Sequence, residues 1–382
     1  MKFNEIIYFD NAATTRKKPE IVHNAFESYI REIGTSPGRG SHLLAIEASR
    51  CLYQSRKVVS NYFGCPSTNV IFTKNATEAS NLFLRGFLEK DDHVLISPME
   101  HNAIFRPLHK LKEEGRIEYG ILPMEAFRSL DKDDLDLYIR ENTKLCILSL
   151  ASNITGEILY SSKLIKYLKS RDIKVLLDTA QGAGRVNLNM IDDNIDFLIF
   201  TGHKDLYGLP GTGGLCSLKE LDIEPLIQGG TGVHSETFTN PNIIPEKYEA
   251  GTLNMPSIWS LKSGIKYVEE NKEEILDKER NLYSTCLEEL KTLPRIIVYG
   301  NNDLEKNLSI ISFNVDGMDC QEVSYYLSEN NICVRSGHHC NILGHTYLGT
   351  ENTGVVRASL DYYNSLEEVE KFIYVIKKMI KE

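Results

Sequence analysis

Lys204 follows the apolar run Ile195-Asp-Phe-Leu-Ile-Phe200 through Thr201-Gly202-His203. A lysine at a strand end inside a cleft is partly dehydrated, its pKa falls, and it can act as nucleophile and proton carrier. A solvated loop lysine is the commoner fate of this residue type, and Gly202 and the glycines between 208 and 214 permit close backbone approach without demanding it. Asp178 closes a second apolar run, Lys174-Val-Leu-Leu-Asp178, with Gln181 three residues on. A partly desolvated carboxylate there would hold a cationic partner firmly. One such partner is a protonated pyridine nitrogen, whose ring then serves as an electron sink. Asp before Thr-Ala-Gln equally suits a helix cap.

Other residues could complete a site. Ala76-Thr77-Glu78-Ala79-Ser80 follows the strand-like Val70–Thr73 and should open a helix, whose N-terminal amides and hydroxyl suit a phosphate; Thr77 could instead be a plain cap. No Walker-type loop occurs, and the glycines near 211–214 lack dinucleotide spacing, which disfavours nucleotide phosphates. His101 follows a strand end, where its ring could stack on a planar ligand or simply hydrogen-bond. Arg335 and Arg357 suit a substrate carboxylate or a structural ion pair. Cys340, in Arg335-Ser-Gly-His-His-Cys340-Asn, sits among polar residues, where neighbouring cations would favour the thiolate. A metal site of His338, His339, Cys340 and His345 is disfavoured, since adjacent His-His-Cys makes poor tetrahedral geometry. An inert loop thiol remains an alternative for Cys340.

The elements that must position these residues are legible as alternation. Val70–Thr73, His93–Ser97, Leu145–Leu150, Lys174–Asp178, Phe197–Thr201 and Gly214–Leu218 read as strands, with amphipathic stretches such as Ile104–Glu114 and Ser161–Ser170 between them. This predicts an α/β layer fold with a mostly parallel, buried sheet. Ligands of such sheets bind outside the carboxyl ends of the strands, where the polar residues above collect. After Pro256 come helical stretches at Ser257–Asn271 and Glu273–Thr292, strands at Ile296–Tyr299, Leu308–Asn314 and Val355–Leu360, and helices near Gln321–Glu329 and from Ser365. These describe a second, smaller α+β domain.

Composition sets the frame. A chain of 382 residues favours two domains. A hydrophobic fraction of 42% and a charged fraction of 25% are ordinary for a soluble globular protein. The net charge of −10 and the absence of a basic patch argue against nucleic acid as a partner. No segment reads as a signal peptide or membrane span. The 8 cysteines show no framework spacing and read as reduced thiols of a cytoplasmic protein, with Cys51, Cys146, Cys216 and Cys286 in apolar, core-like settings.

Taken in order, Tyr8-Phe-Asp-Asn-Ala-Ala-Thr-Thr15, Ala76-Thr-Glu78, Glu100-His101-Asn102, Ser152-Asn153, Asp178-Thr-Ala-Gln181, Gly202-His203-Lys204, Glu249-Ala-Gly-Thr252, Arg335-Ser-Gly-His-His-Cys340 and Val356-Arg357-Ala-Ser resemble the class V aminotransferase family, and within it the cysteine desulfurase and selenocysteine lyase branch. The resemblance implies a pyridoxal-phosphate-dependent transferase of fold type I. It further implies a large domain at 16–255 with a mostly parallel seven-stranded sheet, and a small α+β domain formed by 1–15 and 256–382. Lys204 would carry the cofactor as a Schiff base, Asp178 would pair with its ring nitrogen, Gln181 would donate to its ring hydroxyl oxygen, and His101 would stack on the ring. Thr77, Thr201 and His203 would bind the phosphate, with Glu78 and Asn153 also around the cofactor and Thr252 reaching in from the second subunit of a homodimer. Asn153 and Arg357 would hold the substrate carboxylate, with Arg335 lining the same pocket and no metal involved. Cys340 matches the sulfur-accepting cysteine. L-cysteine would condense with the cofactor, Lys204 would move its α-proton, and the Cys340 thiolate, on a mobile loop, would take the sulfur as a persulfide and release alanine. A sulfur-acceptor protein is the implied partner, and iron–sulfur cluster assembly an implied context. Beyond Cys340 the run Asn341-Ile-Leu-Gly-His345 departs from the Ala and Pro common in that branch. A selenocysteine lyase, another C–S lyase or a transaminase on the same cofactor are the alternative activities. A scaffold without catalysis is disfavoured by the presence of Lys204, Asp178 and Gln181 together.

Overall fold

The computed structural model describes residues 5–38, 40–129, 135–234, 236–301 and 303–381. A short strand, β1 (Ile7–Tyr8), precedes the main sheet. That sheet is built from β2 (Val70–Thr73), β3 (Asp92–Ile96), β4 (Ile117–Ile121), β5 (Thr143–Ser149), β6 (Lys174–Asp178), β7 (Phe197–Thr201) and β8 (Gly213–Ser217). Its strand order is β2-β8-β7-β6-β5-β3-β4, and β8 runs antiparallel to both neighbours while the other pairs are parallel.

The apolar runs form strands because both sheet faces are covered. Val94 and Ile96, Leu145 and Ile147, Leu176, and Phe197 and Ile199 pack into one core, with Leu84, Ile104 and Leu108 from helices Ala76–Phe87 and Asn102–Glu113. Their neighbours in sequence, Leu95, Cys146, Leu148, Val175, Leu177, Leu198 and Phe200, pack into the core of the opposite face. Side chains alternate across a strand, so two buried faces make every strand position apolar. Strand β4 escaped the sequence reading because Glu118, Tyr119 and Gly120 interrupt its apolar pattern at the sheet edge.

The expectation of two helices after Pro256 is corrected to one, Met255–Thr292, of 38 residues. Its first half buries Ile258, Leu261 and Ile265 in the core beneath the main sheet. Its second half buries Leu282, Tyr283, Cys286, Leu287 and Leu290 in a separate core. A change of partner along one helix therefore read as a change of helix.

The second core lies under a four-stranded antiparallel sheet formed by β9 (Ile296–Tyr299), β10 (Ile310–Val315), β12 (Arg335–Gly337) and β13 (Val355–Ser359), in the order β12-β13-β10-β9. Strand β1 pairs in parallel with β11 (Ile332–Cys333), which brings the N-terminal segment back onto this region. The two sheets are tied by a buried ion cluster. Arg185 donates to both oxygens of Glu279 at 2.7 and 2.8 Å and lies 3.4 Å from Asp361, whose Oδ2 also accepts from Tyr207. Such pairs fix geometry more surely than they add stability.

Candidate active site

The carboxyl ends of the parallel strands open onto a cleft of about 820 Å³ of empty volume, part of it open to solvent. Ten of the residues singled out in the sequence line it: Thr77, His101, Asn153, Asp178, Gln181, Thr201, His203, Lys204, Arg335 and Arg357. Glu78 and Thr252 line a neighbouring hollow instead. Cys340 is exposed just outside the cleft wall.

At the floor, Asp178 is the last residue of β6 and is buried at 5% exposure. Burial raises its pKa, opposed by the Ala180 N–H it accepts at 2.9 Å and by the charge of Lys204. The cap alternative gave way, because turns rather than a helix follow Asp178. Lys204 shows the reciprocal effect: burial first, and then the Arg357 charge, lower its pKa to about 8, against the pull of Asp178. The segment Asn11–Thr15 closes this end. Thr14, Thr15 and Lys18 all donate to the His203 carbonyl, Ala12 and Ala13 line the cleft, and Gln181 Nε2 donates to the Ala12 carbonyl at 2.8 Å. Gln181 therefore spends one hydrogen on the backbone, leaving the second.

At one end, Asn75 and not Thr77 caps the Ala76–Phe87 helix, accepting from the Glu78 amide at 2.9 Å. The cap alternative for Thr77 is thereby removed. The Glu78 carboxylate turns back to accept from the Lys74 amide at 2.6 Å. Gly213 makes this end possible: a Cβ there would lie 2.7 Å from the Asn75 carbonyl carbon. His203, with its pKa lowered to about 4 by burial and then by Lys204 and Lys18, has a buried Nδ1 without a partner. Helix amides, hydroxyls and an imidazole nitrogen in its N–H tautomer are the donor set an anion such as phosphate requires.

His101 caps the Asn102–Glu113 helix through Nδ1, which accepts from the Ala103 amide at 3.0 Å. Burial, then Lys204 and the nearby guanidinium groups, lower its pKa to about 4, so it presents a neutral ring. The preceding Glu100, unassigned in the sequence, is fully buried and accepts from Ser97 at 2.5 Å and from the Ser149 amide and hydroxyl at 2.8 and 3.0 Å.

The other end is cationic. Arg357, 1% exposed, donates to Asp10 Oδ1 and to the Asn153 carbonyl at 2.8 Å each, while its Nε is buried without a partner. Asp10 stood unassigned in its own motif, and only the fold shows why it is there. Arg335, opposite Arg357 in the β12–β13 register, places Nη2 3.7 Å from Cys340 Sγ.

The Cys340 loop, expected to be mobile, is fastened. Asn102 N–H donates to the Cys340 carbonyl at 2.8 Å, and Asn153 Nδ2 donates to the His339 carbonyl at 2.8 Å. Asn341 Nδ2 donates to Asn153 Oδ1 at 2.8 Å and to the Met99 carbonyl at 2.9 Å. Asn153 thus braces this turn as well as lining the cleft. Among the described residues, no group of three or more His, Cys, Asp and Glu side chains is arranged to hold a metal ion. No helix among them is long and apolar enough to cross a membrane.

The profile of the family described as Aminotransferase class-V matches residues 7–372. A protein named "Probable cysteine desulfurase" from Pyrococcus abyssi is 34% identical, covering 99% of this chain and 95% of its own. A "Cysteine desulfurase" from Wigglesworthia glossinidia brevipalpis is 30% identical, covering 98% of this chain and 93% of its own. Among solved structures, the apo cysteine desulfurase of Thermococcus onnurineus NA1 superposes with a TM-score of 0.91 at 33% identity, covering 99% of this chain and 95% of that one.

Proposed function

We propose, from the premise that this chain belongs to the class V aminotransferases, that it is a cysteine desulfurase converting L-cysteine to L-alanine with the sulfur passing to Cys340. The cofactor of the family is pyridoxal 5′-phosphate, and the cleft has the donor set for it. Thr77, Thr201 and the unpartnered His203 Nδ1 suit the phosphate, His101 the ring face, Asp178 the ring nitrogen, Gln181 the ring hydroxyl and Lys204 the aldehyde. When bound, this group draws electrons from the substrate's α-carbon into a protonated ring.

The residues of the chain divide the remaining work. Arg357 and Asn153 orient the carboxylate, Lys204 takes and returns the proton at the α-carbon, and the closed floor excludes water. Cys340 attacks as thiolate. An S–S bond forms to the substrate sulfur, and the C–S bond breaks with its electron pair left on the substrate carbon. That carbon is then protonated, and the hydrogen on the transferred sulfur remains in the persulfide. Atoms and electrons balance without an outside oxidant.

The observation that carries this reading is Arg335, which lines the cleft and also stands 3.7 Å from the exposed Cys340 thiol. One guanidinium joins the substrate chamber to a thiol that a partner protein can reach. A lyase or transaminase has no need of that link. The test is to supply L-cysteine and assay alanine and protein-bound persulfide. Cys340→Ala is expected to abolish the persulfide and lower alanine formation by at least about 10²-fold, the scale of losing a nucleophile. Turnover equal to wild type would assign the protein to the lyases or transaminases of the family.

Loading of the cofactor gives a pH test. Lys204 attacks the aldehyde only as the free amine. With its pKa near 8 instead of the usual 10.5, about one-tenth is free at pH 7, and the fraction levels off above pH 8. The rate at which apoprotein gains visible absorption should therefore rise about tenfold per unit below pH 8 and flatten above it. A rate still climbing through pH 10 would show an ordinary lysine.

We further propose that the molecule acts as a homodimer with Thr252 contributing to the partner's phosphate site, that it divides at 15/16 and 255/256, and that it works in the cytoplasm with an acceptor protein for the Cys340 sulfur.

A further inference from the structure

We infer that His339 is a substrate-binding residue of this cleft: its Nδ1 accepts a hydrogen bond from the thiol of the bound amino acid and keeps that thiol protonated while Cys340 attacks it. The inference rests on the desulfurase reading and names the group that would recognise the substrate's sulfur.

His339 lines the cleft, is 3% exposed, and lies next to the nucleophile. Its Nε2 stands 3.0 Å from the Val355 carbonyl. A carbonyl only accepts, so Nε2 carries the hydrogen and Nδ1 is a bare lone pair. That Nδ1 is buried and has no partner. A buried acceptor left unsatisfied costs free energy and calls for an occupant. The ring is held from three sides: by Val355 of β13, by the near-parallel His345 ring at 6.0 Å and 21°, and by its own backbone. His339 and Cys340 are both left-handed, at φ 46° and 56°, a conformation that residues with side chains adopt sparingly and that gathers at functional sites. Burial, then the Arg357 and Arg335 charges, hold its pKa at about 2, so the lone pair stays open.

The surroundings say which donor it meets. Arg357 and Arg335 can only donate, and so suit the carboxylate. The amino group goes to the Lys204 end. The thiol is the one donor of L-cysteine left over, and it must come to the Cys340 side of the cleft. Two thiols then share one cationic corner and need opposite protonation states. Cys340 attacks as thiolate beside Arg335, whereas the substrate sulfur must be neutral, since an anionic sulfur repels the nucleophile. Guanidinium groups alone would favour the anionic form of the substrate sulfur. An acceptor that cannot donate favours the protonated one.

The test uses holoenzyme carrying Cys340→Ala, which binds substrate without turnover, with ligand binding read from the change in cofactor absorption. L-cysteine is compared with L-alanine, which lacks the thiol. His339→Gln puts an amide donor near Nε2 and keeps the bond to Val355, but has no acceptor in the Nδ1 place. It should weaken L-cysteine about fivefold, the scale of one lost hydrogen bond, and leave L-alanine within twofold. Equal loss for both ligands, or loss for neither, overturns the assignment. Should that variant misfold by thermal melting, His339→Asn, whose amide oxygen takes the Nδ1 place, should keep the preference for L-cysteine, and its disappearance would overturn the inference. If the Cys340→Ala protein with His339 intact binds L-cysteine no better than L-alanine, the substrate reading falls first and this one with it.

Discussion

A Lys204→Ala enzyme is expected to lose the visible absorption of bound cofactor and at least about 10³-fold in turnover, the range for removing a positioned acid–base group. Two losses combine. The alanine side chain cannot anchor the aldehyde, and it cannot carry the α-proton. They separate experimentally: added methylamine can replace the amine that reacts with the aldehyde, but it is not held over the α-carbon. Rescue by methylamine should therefore recover a small part of the rate while cofactor retention stays weak. The structure gives Lys204 no ready substitute. A nearby lysine, Lys18, is committed to Thr15 and the His203 carbonyl. The Cys340→Ala enzyme is the control, since it should keep the absorption and lose the persulfide. Turnover of Lys204→Ala within about tenfold of wild type would move the proton-carrying role elsewhere.

The sequence disclosed the floor of this site more fully than its walls. Lys204 and Asp178 announced themselves because each ends an apolar strand buried on both faces, and a charge there has few ordinary reasons to exist. The walls depend on contacts between distant segments, which no local pattern encodes. Asp10 meets Arg357 across 347 positions, and Asn341 meets Asn153 across 188. Glu78 shows the converse. It sits inside a motif that pointed to the cofactor, yet its carboxylate serves its own helix end. The Cys340 turn was expected to be mobile because the family's chemistry requires its sulfur to be passed on. Asn341 and Asn153 spend their polar groups fastening it. His339 entered the sequence reading only as a motif residue and a disfavoured metal ligand, and its tautomer became legible once Val355 was in place. The long helix Met255–Thr292 failed at the level of the element, because two cores share it and its apolar stripe changes partner midway.

Asp178→Asn is the sharper test of the electron-sink arrangement, because it removes a charge and little else. Asparagine keeps Oδ1 in place for the Ala180 amide, and the site at the end of β6 keeps its shape. The carboxylate it replaces is buried, and burial is the largest influence on its pKa. Burial of a carboxylate there outweighs the Ala180 amide and the Lys204 charge that favour it, so the apoprotein of Asp178→Asn should melt no lower than wild type. A second buried carboxyl, Glu100, has its pKa pushed up to about 8 by burial, with the Asp178 charge a further cause. The floor thus favours one full negative charge, and Asp178 is the one that faces the cleft with Lys204. A protonated ring nitrogen beside it would complete an ion pair shielded from water, where such pairs act strongly. With asparagine the nitrogen has no reason to keep its proton, and turnover should fall about 10²- to 10³-fold, the range for losing one preorganised electrostatic contact. A cofactor analogue with a permanently methylated, cationic ring nitrogen should recover part of the loss in Asp178→Asn and none in Lys204→Ala. Activity of Asp178→Asn within about threefold of wild type would mean that the ring works unprotonated here, and that Asp178 serves only the turn that follows β6.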